Sequence, residues 1–233
     1  MEKKWLVVLV VVGLCSTVAL ALDPMGPPTA GLKQGQFEGS LEYSYSNMDL
    51  MVEGYKLKNV NVNKGYANLG YGIADNWEAF IRLGGAEADF KDDGMKYNGD
   101  IGFAYGFGTK ATLYQQSPEL KWGGLFQMSW ADLSGTAKYP DKEGIDLQAR
   151  EIQIGVGPTW TPSKGFSIYG GPFVHILHAD WNDTGSVDMT EANSFGGWIG
   201  AQVEVTENLP VCVEWQHTSG EAYALGVSAV CRF

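Results

Sequence analysis

From Ala222 to the final residue the chain alternates with period two. Tyr223, Leu225, Val227, Ala229, Cys231 and Phe233 fall on one face, and Ala222, Ala224, Gly226, Ser228, Val230 and Arg232 on the other. Successive side chains of a strand point to opposite sides, so the pattern defines a strand with one bulky apolar face and one small or polar face. The first face suits hydrocarbon. The second suits a crowded or partly wet interior.

The same contrast recurs upstream, most cleanly where Ile101, Phe103, Tyr105 and Phe107 oppose Gly102, Ala104, Gly106 and Gly108. Ring after ring of such bulky residues cannot fit inside a narrow barrel, so they face outward and leave the small residues to the lumen. Related alternation runs through residues 37–46, 77–83, 122–130, 151–160, 168–176, 198–205 and 211–216. Residues 58–72 are less regular: Val60, Val62, Tyr66, Asn68 and Gly70 compete with Ala67, Leu69 and Tyr71 for the outer face. A bulge near Lys64 and Gly65 would reconcile the two halves. The fold expected is all-β, an antiparallel transmembrane β-barrel of ten strands over residues 36–233, with eight or twelve as the alternatives. Short connections at 74–76, 161–164 and 207–210 alternate with longer ones at 48–57, 91–99, 135–146 and 180–193. That rhythm places both termini on the short-turn side. The connection at 109–120 is longer than the rule prefers, and the one at 217–221 shorter.

Residues 71–77, Tyr-Gly-Ile-Ala-Asp-Asn-Trp, form a tight turn between two amphipathic strands, and residues 229–233, Ala-Val-Cys-Arg-Phe, end the chain on an aromatic. With these motifs the chain resembles bacterial outer-membrane β-barrel proteins of small porin-like or OmpA-like type, over residues 36–233. The resemblance implies residence in the cell outer membrane among lipids and lipopolysaccharide. It also implies insertion by the barrel assembly machinery, with Phe233 as part of the assembly signal.

The amino-terminal stretch agrees with export. Lys3 and Lys4 precede an apolar run and small residues ending Ala19-Leu20-Ala21, so residues 1–21 read as a signal peptide. Residues 22–35 hold Pro24, Pro27 and Pro28 and read as an irregular leader, disordered, docked in the lumen or extending into the periplasm. A formal net charge of −11 argues against nucleic-acid binding. The 31 Gly, with 8 Trp, 11 Tyr and 10 Phe, favour close-packed sheets with aromatic anchors at interfaces.

On these faces the lumen receives Glu38, Glu42, Glu78, Arg82, Glu151, Glu204, Glu214 and Arg232. Lone buried charges are costly, so water, cations or ion pairs must accompany them. Two readings follow: a narrow acidic conduit that passes small solutes or cations, giving a structural or porin-like role, or a polar network that ties the strands around a closed core. Arg82 is expected to pair across strands with Glu38 or Glu42, and Arg232 to meet a nearby carboxylate or water.

Two further functional classes stay open, an adhesin or assembly subunit acting through outer loops and a hydrolase at the rim. His175, His178 and His217 with Asp180 and Asp183 form no recognisable catalytic motif, so no catalytic residue is assigned. The acidic residues Asp180, Asp183, Asp188 and Glu191 do not match a calcium loop, and neither a metal nor a cofactor is expected. Cys212 and Cys231 lie on neighbouring strands but on opposite faces, which opposes a disulfide. A soluble β-barrel with every face reversed is the rival architecture.

Overall fold

The computed structural model describes residues 22–52, 54–92, 95–138, 142–182, 187–191, 194–219 and 222–233; the expected signal peptide lies outside them. Twelve strand segments carry the chain: β1 Phe37–Val52, β2 Tyr55–Ala74, β3 Trp77–Asp92, β4 Met95–Asp100, β5 Gly102–Gln115, β6 Leu120–Lys138, β7 Lys142–Ser163, β8 Phe166–Asn182, β9 Val187–Glu191, β10 Phe195–Thr206, β11 Leu209–Thr218 and β12 Tyr223–Arg232. They make one antiparallel sheet whose path of eleven segments closes into a ring, with β5 beside it between β3 and β6.

The ring has two levels. Near the termini it runs β1, β2, β3, β5, β6, β7, β8, β10, β11, β12 and back to β1, where Glu38 faces Arg232 and Leu41 faces Ala229. At the far end the β11–β12 hairpin is too short to take part. There β9 pairs β8 on one side and reaches across to β1 on the other, through Leu50–Glu191, Met51–Thr190 and Val52–Met189. The upper level therefore runs β1, β2, β3, β4, β6, β7, β8, β9 and back to β1.

Strand length explains this arrangement. β7 has 22 residues, about twice the roughly 9–11 that a tilted strand needs to cross hydrocarbon. Its outward face is apolar at Trp160, Val156, Ile154 and Ile152, and then polar at Arg150, Gln148 and Asp146. The same switch occurs on β3 from Ile81 and Leu83 to Glu87 and Asp89, on β6 from Trp130 to Asp132, and on β8 from Ile176 to His178 and Asp180. From Trp160 to Ile152 is about 26 Å along the strand at roughly 3.3 Å per residue. At a tilt of ~40° this gives about 20 Å along the axis, close to the ~25 Å apolar band of membrane barrels.

The inward face switches in the opposite sense at the same height. Below it stand Glu78 and Arg82 on β3, Gln127 and Ser129 on β6, Glu151 and Gln153 on β7, and His175 on β8. Above it stand Ala86, Ala88 and Phe90, Ala131 and Leu133, Leu147 and Ala149, and Leu177 and Ala179 on the same four strands. The lower part is thus apolar outside and carries the polar and charged groups inside, with Phe80, Tyr169, Phe173 and Trp198 among them. The upper part is polar outside and apolar inside, as a barrel standing in water must be.

Two expectations are corrected by this arrangement. β2 and β3 stay in register from Asn61–Asp89 to Gly72–Glu78 with no bulge at Lys64 and Gly65. Val60, Val62, Lys64, Tyr66 and Asn68 all lie on one inward face, and the apparent competition is the swap of environments along one regular strand. The longer connections also prove shorter than expected, because β1 runs to Val52, β2 starts at Tyr55, β6 runs to Lys138 and β7 starts at Lys142. Most of their length belongs to the projecting walls. The long connection at 109–120 shrinks likewise, since β5 continues to Gln115 and leaves a turn closed by Ser117 and Leu120.

Candidate functional site

Residues 22–32 thread the lumen, where Leu22, Asp23, Met25 and Leu32 are almost wholly buried. An irregular backbone inside a barrel needs partners for its N–H groups. Three inward glutamates supply them. Glu151 of β7 accepts from Asp23 N at 3.1 Å, Glu214 of β11 from Met25 N and Gly26 N at 2.7 and 2.6 Å, and Glu78 of β3 from Gly31 N and Leu32 N at 2.7 and 3.0 Å. Carbonyl groups of the leader are bonded as well: Gln216 donates to Asp23 O at 2.8 Å and Trp198 Nε1 to Gly26 O at 3.3 Å. The wall makes room where a side chain would block it, for a Cβ on Gly123 would stand 2.4 Å from Pro28 O.

Above these anchors lies a charged cluster that crosses the barrel. The Asp23 carboxylate accepts from Lys64 Nζ of β2 at 3.0 Å and from Ser129 Oγ of β6 at 2.5 Å, and meets Arg82 of β3 at 3.3 Å. Lys64 also donates to Glu151, which lies 3.2 Å from His175 Nε2 of β8. Arg82 Nη2 donates to Gln127 at 2.9 Å, and its guanidinium lies over the rings of Tyr66 and Phe80 at 5.2 and 5.0 Å. Gln127 donates to Gln153, and Gln153 to Gln216 at 3.1 Å, so the network reaches β11. Two buried cations face two buried anions, with Glu42 at the edge 3.9 Å from Arg82. That balance is what permits so many charges away from water.

The residues read from the sequence as lumenal are all on the inner wall, but they do different work. Glu78, Glu151 and Glu214 hold the leader. Arg82 meets Asp23 more closely than the Glu42 expected for it, while Glu38 pairs with Arg232 at 3.5 Å. Glu204 lines a polar cavity of about 290 Å³ at the terminal end, together with Glu38, Glu78, Lys110, Lys121 and Arg232. Asp23, Lys64 and the three glutamines were not singled out by sequence, whereas His175, weighed there only for a catalytic motif, joins the cluster beside Glu151. Lys64 carried one signal, since it shares the parity of Tyr66 and Asn68; Asp23 lies in a segment without periodicity and gave none.

Above the cluster the apolar upper level encloses a second, separate cavity of about 60 Å³. Leu50, Val60, Phe90, Leu133, Leu147 and Leu177 contribute walls, and Lys64, Ser129 and Glu151 form its polar side. Beside it Tyr97 of β4 stacks on Phe90 at 5.3 Å, and burial with Asp100, Asp146 and Asp89 nearby pushes its phenol up to about 12.

The other candidates do not converge. His178 and Asp180 face outward on β8, and His217 meets Ala222 O at 3.0 Å. Asp183 lies outside the described residues, as do the side chains of Asp188 and Glu191. Among the described residues no group of His, Cys, Asp and Glu is placed to hold a metal ion. Cys212 is buried, Cys231 is exposed, and both are free thiols. Phe233 closes the ring through backbone hydrogen bonds in both directions with Phe37, at 3.0 and 3.2 Å.

No family model matches the sequence, and no curated protein matches it. Solved structures do. The translocator domain of the autotransporter NalP from Neisseria meningitidis is similar over 87% of this chain and 90% of its own, at 11% identity and a TM-score of 0.54. The β domain of the Bordetella autotransporter BrkA is similar over 84% and 99%, at 11% identity and a TM-score of 0.50. The likeness is one of fold: an antiparallel barrel of the kind built by outer-membrane proteins.

Proposed function

We propose that this chain is a bacterial outer-membrane barrel that crosses the bilayer with ten strands and acts by binding at its water-side end. The count follows from taking β4 with β5, and β9 with β10, as single interrupted strands. On this reading lipid and lipopolysaccharide surround the apolar belt, and Phe233 takes part in insertion by the assembly machinery. One observation carries the choice of binding over conduction. The leader and the Asp23–Lys64–Glu151–Arg82 cluster fill the lumen at the height where a channel must be open. The polar cavity at the terminal end is then a dead end, and the acidic residues serve as anchors for the leader.

The test is made on the full protein, exported and purified from the outer membrane. It should fractionate with that membrane, shift its gel mobility on heating, and give no steady current in a planar bilayer. Stable cation-selective openings of the unaltered protein would restore the conduit reading. Recovery as a monomer without detergent would remove the membrane assignment altogether.

A further inference from the structure

The geometry points to the upper cavity as a binding site for one small, uncharged hydrocarbon. This rests on the proposal that the barrel works at its water-side end, and adds the class of ligand. The upper level closes with eight segments, a size whose interior is either filled by side chains or wide enough for one small ligand. Here it is not filled. Ala88, Ala131, Ala149 and Ala179 stand at the wall from four different strands, where larger apolar side chains would close the space. Protein interiors pack densely, so a hydrophobic core that served stability alone would be expected to use such positions.

The lining selects the ligand. Only three of the sixteen lining side chains are polar, which excludes a sugar, an ion or a peptide backbone. Those three lie together on the side that meets the charged cluster, and the charge there is already spent: Lys64 is held by Asp23 and Glu151, and Ser129 donates to Asp23. An anionic or cationic ligand would have to break those pairs, whereas an uncharged one need not. Size sets the rest. A site of about 60 Å³ holds about four to six water-sized groups at roughly 10–15 Å³ each. The occupant is therefore a single hydrocarbon ring or a short alkyl chain, held by contact with Leu50, Val60, Phe90, Leu133 and Leu147.

Benzene and benzoate are suitable probes, measured by equilibrium dialysis against the full protein in nanodiscs, with empty nanodiscs as the partition control. Saturable binding of one benzene per barrel is expected, with benzoate at least tenfold weaker. Ala131→Leu and Ala88→Leu fill the cavity from different strands, and each should weaken benzene binding at least tenfold. Heat-modifiable gel mobility shows which variants are folded, and either folded variant suffices. Equal, non-saturating uptake by protein and empty nanodiscs, or benzoate binding as tightly as benzene, overturns the assignment. Undiminished binding in a folded variant overturns it too. Bilayer current separates the two proposals: a closed barrel without benzene binding rejects this site alone, and an open one rejects the binding role beneath it.

Discussion

Replacing Asp23 by Ala tests whether the leader is a structural member of the barrel. The carboxylate receives Lys64 at 3.0 Å and Ser129 at 2.5 Å and faces Arg82 at 3.3 Å, and all three partners are buried. Its loss leaves Lys64 and Arg82 facing Glu151, with the half-buried Glu42 more distant, so one buried positive charge is left without its match. Breaking a buried pair from one side costs about 3–5 kcal/mol. The backbone bonds from Asp23 N to Glu151 and from Gln216 to Asp23 O survive the substitution, which confines the effect to charge. At roughly 2–4 °C per kcal/mol for a chain of this size, the midpoint should fall by about 6–20 °C. Heat-induced loss of the fast-migrating form on gels reads that midpoint. The double variant Asp23→Leu with Lys64→Met leaves Glu151 against Arg82 in balance and should recover more than half of the loss. A drop under ~2 °C for Asp23→Ala, or a double variant no better than the sum of its singles, refutes the reasoning.

Substitution along the outer face of β7 should locate the bilayer surface. Ile154→Arg places a charge in the apolar belt and should cost about 2–4 kcal/mol, while Gln148→Arg, on the same face of the water-side extension, should cost under ~0.5, both read by unfolding in urea with lipid vesicles. Equal costs would place the two residues in one environment. Gly123→Val should force Pro28 from the wall, exposing the leader to protease added at the short-turn side and raising bilayer current. A leader still protected in a folded variant would count against its close approach there. Reduction should leave the mass of the protein unchanged, and a membrane-permeant thiol reagent should label Cys231 before Cys212, which sits 4% exposed beside Gln202. A mass gain of about two hydrogens on reduction would show a disulfide instead.

How far the sequence could be read depended on the range of the signal. Strand alternation is local, so the faces around Phe103 and Gly106, Trp215 and Glu214, or Phe233 and Arg232 could be assigned from a few neighbours. The leader could not be placed in this way. Its bonds join Asp23 to Gln216 and Met25 to Glu214, which are 193 and 189 residues apart, and nothing in the prolines of residues 22–35 encodes those partners.

On β2 the difficulty has a different physical cause. With one environment along the whole strand, Val60 and Val62 would have to share the face of Leu69 and Tyr71, and a bulge would be needed to bring them there. A bulge changes the parity of the strand that contains it and of no other. The swap instead occurs on β6, β7 and β8 at one height, where Met128 pairs with Ile152 and Ile152 with Ile176, and above that line the outward face turns to Asp132, Arg150 and His178. Only a change of surroundings common to all the strands does this. Hydrocarbon outside the lower wall demands apolar residues there and leaves the polar ones inside; water outside the upper wall demands the reverse. On the proposed membrane placement, the chain marks its own exit from the bilayer by exchanging the roles of its two parities while the period stays at two. That exchange is what puts an apolar chamber directly above a charged, leader-filled lumen.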